Sequence, residues 1–261
     1  MDKDISKNNS LKLRQSGKAV DNTSIELLKA LTMAGAGSRR RIADTIKQGL
    51  VQVNGEVVED FSHPINIESD IVSIDGESID IKPEKSTYLI LNKPSGVTST
   101  TSDEKGCRTV IDILPEKYRR SRLYPVGRLD KNSTGLLLLT NDGKLTYRLT
   151  HPKFRIAKEY LVYLNTKLKQ EEKQMLEQGI KLEEGITSLA KIVEVDSVSP
   201  YNYSITIHEG RKRQVRRMFS ALGYRVLALK RIRMGNLNLG NLRDGDIREL
   251  SVREVYALSP Q

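Results

Sequence analysis

A carboxylate in a tight polar segment has the clearest potential for chemistry in this sequence. Asp130 ends the segment Gly-Arg-Leu-Asp at residues 127–130, shortly before the leucine run 136–139. That run is too short for a buried helix, and Gly135 and the turn signal Asn-Asp-Gly at 141–143 enclose it, which predicts a core strand entering a hairpin. Catalytic groups are often placed in loops that a packed strand fixes. Spacing alone leaves open that Asp130 only hydrogen-bonds its own backbone.

The charge balance indicates a polyanionic partner. The 261 residues include 43 Lys and Arg against 33 Asp and Glu, which gives a net charge of +10 and an isoelectric point near 9.5. Charge alone leaves RNA, DNA and an acidic membrane open as partners. No aliphatic run is longer than the leucines of 136–139, and the N-terminus is charged. We therefore expect no membrane span, no signal peptide and a cytoplasmic location.

No sequence motif indicates a metal or a cofactor. The single cysteine, Cys107, and the three histidines, His63, His151 and His208, lack the spacing of metal ligands. The sequence also contains no glycine-rich phosphate loop and no dinucleotide fingerprint. We expect that the protein uses neither a metal nor a cofactor.

The start of the chain is predicted to hold a tail and a first helix. Residues 1–22 are rich in Lys, Asn, Ser and Asp, and are expected to be disordered because they cannot repay the entropy of ordering. Thr23 and Glu26 have the spacing of a capping box, which predicts that a helix begins there. Gly35 and Gly37 are expected to end that helix.

A second helix is predicted to begin after Ser38, with Arg39, Arg40 and Arg41 in its first turn. The helix dipole disfavours a cation at this position by about 0.3 kcal/mol or more. This local conflict favours contacts between the arginines and a phosphate backbone, and a solvated basic face is the alternative.

The helices and the turns that follow them resemble a known RNA-binding module. Residues 51–58 centre on Asn-Gly and predict a hairpin, and Asp-Gly at 75–76 predicts a further strand pair. Residues 34–40 and 51–55 resemble the small RNA-binding domain of ribosomal protein S4. The resemblance implies RNA as the partner class without specifying a reaction.

The composition divides the chain into two domains. The charged stretch 81–87 predicts a linker between an S4-like domain at 23–80 and a second domain at 88–261. Alternating apolar residues at 158–164 and 203–207 predict strands with one buried face. Strands outnumber helices here and few βαβ repeats occur, so we predict an α+β fold with a mixed, largely antiparallel sheet.

Several motifs of the second domain resemble the RsuA/RluB-type ribosomal RNA pseudouridine synthases. The matching segments are residues 92–96, 124–130 and 135–143, and the resemblance extends over about 23–255. It implies an α+β domain whose sheet is crossed by an RNA-binding cleft. In that family the aspartate of Gly-Arg-Leu-Asp is the catalytic nucleophile, which implies this role for Asp130.

An arginine-rich segment follows at residues 209–219. Its apolar residues recur at helical spacing, which leaves Arg213, Arg216 and Arg217 together on another face. An exposed basic helix that only attracts phosphate is one interpretation. The family resemblance implies that one basic residue pairs with the catalytic aspartate. We assign this pairing to Arg216, with Arg213 and Arg217 as alternatives.

The resemblance also implies roles for other residues. Tyr160 matches the active-site tyrosine of the family, whose ring can stack against uracil and whose hydroxyl can assist proton transfer. Asn92 and Lys93 are expected to shape the cleft. The cations expected to contact RNA are Arg39, Arg40, Arg41, Lys93, Arg128, Arg211, Arg213 and Arg217.

These expectations combine into one function. We expect a monomeric enzyme that isomerises uridine to pseudouridine in ribosomal RNA or in a ribosomal assembly intermediate. Large-subunit RNA is the preferred substrate, and small-subunit RNA is the alternative. A noncatalytic assembly factor that only binds ribosomal RNA is the rival interpretation, and the joint presence of Asp130, Tyr160 and Arg216 argues against it.

Overall fold

The structure is a computed structural model that describes residues 24–82, 84–102, 106–119, 121–195 and 200–258. The chain divides into two compact units between Glu84 and Lys85. The tail predicted at residues 1–22 lies outside the described residues. In the described part of the chain, no helix has the length and apolar character needed to cross a membrane.

The N-terminal unit packs two short helices against two antiparallel sheets. Its elements are β1 (Ser24–Glu26), α1 (Leu27–Met33), α2 (Arg39–Lys47), β2 (Val51–Val53), β3 (Glu56–Val57), β4 (Pro64–Asn66), β5 (Val72–Ile74) and β6 (Glu77–Ile79). One sheet has the strand order β3-β2-β5-β6, and the other pairs β1 with β4. Leu31 of α1 and Ile46 of α2 are fully buried in the core that these elements share.

The predicted capping box at the start of α1 is wrong. Residues Ser24–Glu26 form a strand paired with Pro64–Asn66, and the helix begins only at Leu27. Glu26 occupies the N-cap position without a side-chain hydrogen bond, and Thr23 lies outside the described residues. Pairing with a strand distant in sequence satisfies backbone groups that the local pattern had assigned to a helix.

Other local predictions for this unit are confirmed. The Ser38 side chain accepts a hydrogen bond of 3.2 Å from the backbone N–H of Arg41, as expected of an N-cap. Asn54 and Asp75 have positive φ angles of 52° and 50° at the two hairpin turns. Type I′ turns require this conformation, and Asn and Asp tolerate it better than most residues.

The second unit is built around a nine-stranded mixed sheet. Its elements are β7 (Tyr88–Lys93), α3 (Glu116–Arg119), β8 (Tyr124–Pro125), β9 (Thr134–Thr140), α4 (Gly143–Thr150), a 3-10 helix (Pro152–Phe154), β10 (Lys158–Leu164), α5 (Gln170–Gln178), β11 (Lys181–Leu182), β12 (Gly185–Ile186), β13 (Lys191–Glu194), β14 (Tyr203–Ile207), α6 (Gln214–Ser220), β15 (Val226–Met234), β16 (Leu237–Asn238), β17 (Ile247–Glu249) and α7 (Val252–Leu258). The main strand order is β13-β14-β10-β15-β9-β7-β17, and β15 and β9 form its parallel pair. The predicted α+β class with a largely antiparallel sheet is confirmed.

Strand β9 explains the leucine run. Leu137 and Leu139 belong to one hydrophobic core, and Leu136 and Leu138 to a second core that includes Leu145 of α4. The sheet is therefore covered on both faces at this strand, which requires a continuous apolar sequence.

The strand predicted from the leucine run is confirmed, but the hairpin after it is wrong. Asp142 caps α4, and its side chain accepts hydrogen bonds from the backbone of Lys144 at 2.9 Å and of Leu145 at 3.0 Å. An Asn-Asp-Gly sequence therefore serves here as a helix start, because Asp satisfies unpaired N–H groups of a first turn as well as it forms turns.

Candidate active site

A cleft of about 820 Å³ lies in the second unit. The loop that contains Asp130, which we call the Asp130 loop (residues 126–133), lines it together with the start of β10, the end of β14 and residues 208–215. Asp130, Tyr160 and Arg213 all line this cleft. The cleft thus brings together residues that are about 80 positions apart in the sequence.

Short hydrogen bonds hold the Asp130 loop. The Val126 N–H donates to the carbonyl of Leu138 at 2.8 Å, and the Ser133 N–H donates to the carbonyl of Asp130 at 3.0 Å. The buried Ser99 hydroxyl accepts from the N–H of Leu129 at 3.2 Å and donates to its carbonyl at 3.0 Å. The Asp130 side chain remains 28% exposed, so its carboxylate is fixed from behind and accessible from the cleft.

Lys93 supports this loop from inside the protein. Its side chain is fully buried, and Nζ donates to the carbonyls of Pro94 at 2.8 Å, Val97 at 2.7 Å and Lys131 at 3.1 Å. Burial lowers the pKa of Lys93 to about 8, and the nearby Asp130 charge acts in the opposite direction. The predicted RNA contact of Lys93 is wrong, because a buried ammonium with its three donors in use cannot reach a phosphate.

Arg213 is the cation paired with Asp130. Its Nη1 lies 3.7 Å from Oδ2 of Asp130. Arg213 is the N-cap of α6 and has a left-handed backbone conformation with φ of 52°. This conformation costs an arginine about 1 kcal/mol or more, which the surrounding structure has to offset.

The sequence-based assignment of this ion pair to Arg216 is therefore wrong. Arg216 instead donates from Nη1 to the carbonyl of Val226 at 2.8 Å and from Nη2 to that of Asn132 at 3.5 Å. Burial and the neighbouring Arg213 charge lower the pKa of Arg216, while the Asp130 charge opposes that shift. Arg216 is thus close to the Asp130 loop and contacts its backbone.

Two further arginines of the segment bind the protein itself. Arg211 donates to the carbonyls of Gly185 at 2.7 Å and Ile186 at 2.6 Å, and its Nε lies 3.2 Å from Oε2 of Glu209. Arg217 forms a bidentate pair with Glu184 at 2.8 and 2.9 Å. Both guanidinium groups anchor the hairpin of β11 and β12, and the RNA contacts expected of Arg211 and Arg217 stay predictions.

Arg213, also predicted to contact RNA, pairs with Asp130, and four further predicted RNA contacts are exposed. Arg128 lines the mouth of the cleft in the second unit. Arg39, Arg40 and Arg41 are exposed in the N-terminal unit, and none of them belongs to an ion pair of the described residues. These four side chains stay available to a phosphate backbone.

Tyr160 lies on the sheet at the floor of the cleft. It is 8% exposed, and its partners across the sheet are Ile205 on β14 and Arg231 on β15. Lys158, two residues earlier on the same face, also lines the cleft. The predicted inward face of β10 is confirmed, and a ring at this position can contact a base that enters the cleft.

Sequence reasoning missed Arg231, Lys158 and Ser99 as residues of the site. No strand at Val226–Met234 was predicted from the sequence, so there was no reason to expect a buried charge at Arg231, which requires a partner in the protein. The partner, the carbonyl of Leu136 at 2.8 Å, lies 95 residues away and has no sequence pattern of its own. Among the described residues, no group of three or more His, Cys, Asp or Glu side chains is arranged to bind a metal.

Comparison with known proteins agrees with this geometry. Residues 87–221 match the family model for RNA pseudouridylate synthases, and residues 27–72 match the S4 domain model. The chain is 43% identical over 208 residues to the ribosomal large subunit pseudouridine synthase B of Bacillus subtilis, covering 78% of this chain and 83% of the relative. An uncharacterized RNA pseudouridine synthase of Aquifex aeolicus is 40% identical over 214 residues, covering 81% of this chain and 84% of that protein.

A solved structure is similar to most of this chain. The crystal structure of a pseudouridylate synthase superposes with a TM-score of 0.65 and 34% sequence identity, covering 90% of this chain and 100% of that chain. At this coverage the similarity extends into both units.

Proposed function

Because the chain belongs to the RNA pseudouridylate synthase family, we propose that it isomerises a uridine of ribosomal RNA to pseudouridine, with Asp130 as the nucleophile. The observation that carries the proposal is the position of Asp130. Its carboxylate is partly exposed in a rigid loop, 3.7 Å from a guanidinium, and lines a cleft that also contains Tyr160.

The chemistry needs no second substrate. The reaction breaks the bond between N1 of uracil and C1′ of ribose, turns the base and joins its C5 to C1′. Asp130 acts on the sugar carbon as the base detaches. Arg213 orients the carboxylate through their ion pair, and the Tyr160 ring supports the base.

The target uridine has to leave its stack to reach Asp130. Extrusion costs a few kcal/mol, roughly, and is cheapest in loops or incompletely folded RNA. Arg128 at the mouth of the cleft and the exposed arginines of α2 provide phosphate contacts for such a substrate.

Large-subunit ribosomal RNA is the substrate that we propose. The support is the 43% identity to a Bacillus subtilis protein named for that subunit, and the S4 domain match at residues 27–72 supports RNA as the partner class. Within this proposal the protein acts as a monomer in the cytoplasm, on free RNA or on an assembly intermediate.

The test combines mapping with one variant. Pseudouridines are mapped by carbodiimide treatment and primer extension in ribosomal RNA from cells with and without the protein, and then with Asp130→Asn. We expect one large-subunit pseudouridine to depend on the protein. The purified variant should bind RNA normally and turn over at least about 1,000-fold more slowly, since the amide keeps the shape but loses the nucleophile.

Asp244→Asn is the matched control, because Asp244 is an exposed carboxylate paired with Lys230 outside the lining of the cleft. It should retain full activity. Turnover of Asp130→Asn within tenfold of the parent would exclude the proposed role of Asp130. A target in small-subunit RNA would correct the substrate but not the reaction.

A further inference from the structure

Arg231 on β15 is a buried cation that forms no ion pair with a carboxylate among the described residues. It is 2% exposed, its Nε donates to the carbonyl of Leu136 at 2.8 Å, and it lines the cleft. Its Nη2 is buried and has no hydrogen-bond partner among the described residues. Leaving a charged donor unsatisfied is costly, so the position requires a compensating role.

Gly135 permits this placement. It lies opposite Arg231 in the parallel pairing of β9 with β15, and a Cβ atom there would come within 2.2 Å of the Arg231 carbonyl oxygen. Only glycine allows the two backbones to approach this closely, and its φ of 99° is also unfavourable for other residues. The floor of the cleft is thus built around the Arg231 backbone.

Lys158 adds a second cation to the floor. It lies on the same face of β10 as Tyr160, and its Nζ donates to the carbonyl of Ile156 at 3.2 Å. Burial, and then the Arg231 charge, lower the pKa of Lys158 to about 8. Lys158 therefore carries most of its charge at neutral pH, although the neighbouring Arg231 makes that charge less favourable.

The described carboxylates of the cleft do not neutralise this pair. Asp130 is paired with Arg213. Glu209 accepts hydrogen bonds from the Gln214 side chain at 2.7 Å and from Arg211 at 3.2 Å. The two cations on the floor thus leave an excess of positive charge that a bound group can compensate.

We propose that Arg231, assisted by Lys158, binds the uracil of the target nucleotide in its detached, anionic form. This inference rests on the proposed function. When the N1–C1′ bond breaks, its electron pair stays on the base, and the negative charge spreads over N1, O2 and O4. The charge disappears when C5 bonds to C1′, the Asp130 carboxylate leaves C1′, the C5 proton is lost and N1 takes up a proton.

The position favours the base over a phosphate. An extruded base enters a cleft ahead of its backbone, and the deepest groups meet the base. Arg231 is 2% exposed and lies directly across the sheet from Tyr160, the ring that supports the base. A preorganised cation in a dry site stabilises charge that develops during the reaction more than it stabilises the ground state.

The test measures the chemical step and RNA binding separately in Arg231→Gln and in Lys158→Met. We expect the single-turnover rate to fall about 100-fold for Arg231→Gln, as for the loss of an oxyanion donor, and less for Lys158→Met. RNA affinity and its salt dependence should stay unchanged. Arg233→Gln is the matched control, because Arg233 lies on the same strand but pairs with Glu159.

A substrate with 5-fluorouridine at the target distinguishes stabilisation of the anion from other roles. Its C5 carries fluorine and has no proton to lose, so the quantity compared between the two RNAs is the rate at which the N1–C1′ bond breaks. Fluorine stabilises the departing base, so the defect of Arg231→Gln should be smaller with this RNA than with uridine. A weaker affinity with a salt slope shallower by roughly 0.7 to 0.9 would assign Arg231 to a phosphate and overturn the proposal.

Equal defects with both substrates would also overturn it. If Arg231→Gln does not fold, Lys158→Met carries the test, and a parental rate in that variant overturns the proposal. Absence of any pseudouridine formation by the parent protein would instead refute the proposed function, and this inference with it.

Discussion

Two arginine-rich segments of this chain resemble each other in sequence and differ in structure. Arg39, Arg40 and Arg41 open helix α2 and remain exposed, without an ion pair in the described residues. Arg211 lies just before α6 and Arg217 lies within it. Their guanidinium groups donate hydrogen bonds to backbone carbonyls and to Glu184. The first segment is free to bind a ligand, whereas Arg211 and Arg217 of the second are part of the scaffold.

The comparison shows what decides the role of an arginine. Both segments have the density of cations expected of RNA contacts. Only the second lies beside a hairpin that offers carbonyls at Gly185 and Ile186 and a carboxylate at Glu184. Whether an arginine can bind RNA or instead anchors the protein therefore depends on the partners near it, which come from distant parts of the chain.

Among the variants that test this comparison, the largest effect is expected from Arg39→Ala, Arg40→Ala and Arg41→Ala combined. If each arginine contacts a phosphate, affinity for the target RNA should fall about 100-fold at physiological salt, and the slope of log affinity against log salt should decrease by roughly 0.7 to 0.9 per contact. The measurement is an RNA-binding titration at several salt concentrations.

Thermal unfolding of the triple variant should match the parent, because surface substitutions change stability by about 0.5 kcal/mol or less. Single-turnover rates at saturating RNA should also match. An unchanged salt slope would show that these arginines form a solvated face and would remove the distinction between the two segments.

For Arg211→Ala we expect a smaller effect of the opposite kind, in which stability falls and RNA binding does not change. The variant loses hydrogen bonds to two carbonyls and to Glu209, and it leaves those acceptors to find new partners. We expect a loss of about 2 kcal/mol of unfolding free energy, with little change in the salt slope of RNA binding. Denaturant unfolding and the same titration measure both quantities.

Glu184→Gln is the companion variant, since it weakens the bidentate pair with Arg217 without removing a cation. It should destabilise the protein by less than Arg211→Ala, because the pair is partly exposed to solvent. If Arg211→Ala has normal stability and a shallower slope of log RNA affinity against log salt, Arg211 contacts RNA and does not anchor the hairpin.

The parts of the fold that follow a local rule could be predicted from the sequence. The cap at Ser38, the turn at Asn54 and the inward face around Tyr160 depend on neighbouring residues, and the structure confirms them. The strand Ser24–Glu26 and the helix capped by Asp142 were predicted wrongly. Their local patterns fit two structures equally well, and tertiary pairing selected one.

The candidate site shows the same division. Asp130 could be predicted as a residue of the cleft because its motif is contiguous, and its proposed role comes from the family resemblance. The arginine of the ion pair could not be assigned from the sequence, since Arg213 and Arg216 belong to one helical segment. Their roles differ in the structure because Arg216 donates to the distant Val226 carbonyl, whereas Arg213 pairs with Asp130. The cation on the floor, Arg231, depends on the pairing of β9 with β15, which no sequence spacing encodes.

The smallest effect concerns pH and distinguishes the buried lysines from the arginines. The pKa values of Lys93 and Lys158 are both lowered to about 8 by burial. A lysine is charged below its pKa, so both side chains lose their charge as pH rises through 8, whereas guanidinium groups keep theirs. We expect the single-turnover rate to fall about tenfold from pH 7 to 9, since a group with this pKa is then about 90% neutral.

RNA affinity should stay constant over the same range because exposed arginines provide it.

The variant Lys158→Arg distinguishes the effects of the two lysines, because its guanidinium stays charged at pH 9. If the charge of Lys158 dominates, this variant should lose less activity between pH 7 and 9 than the parent. If the rate of this variant declines with pH as the parent rate does, Lys93 controls the pH profile. A neutral Lys93 amine has only two donors left for the three carbonyls that it contacts. A parental rate that is flat to pH 9 would contradict a role for either charge in the chemical step.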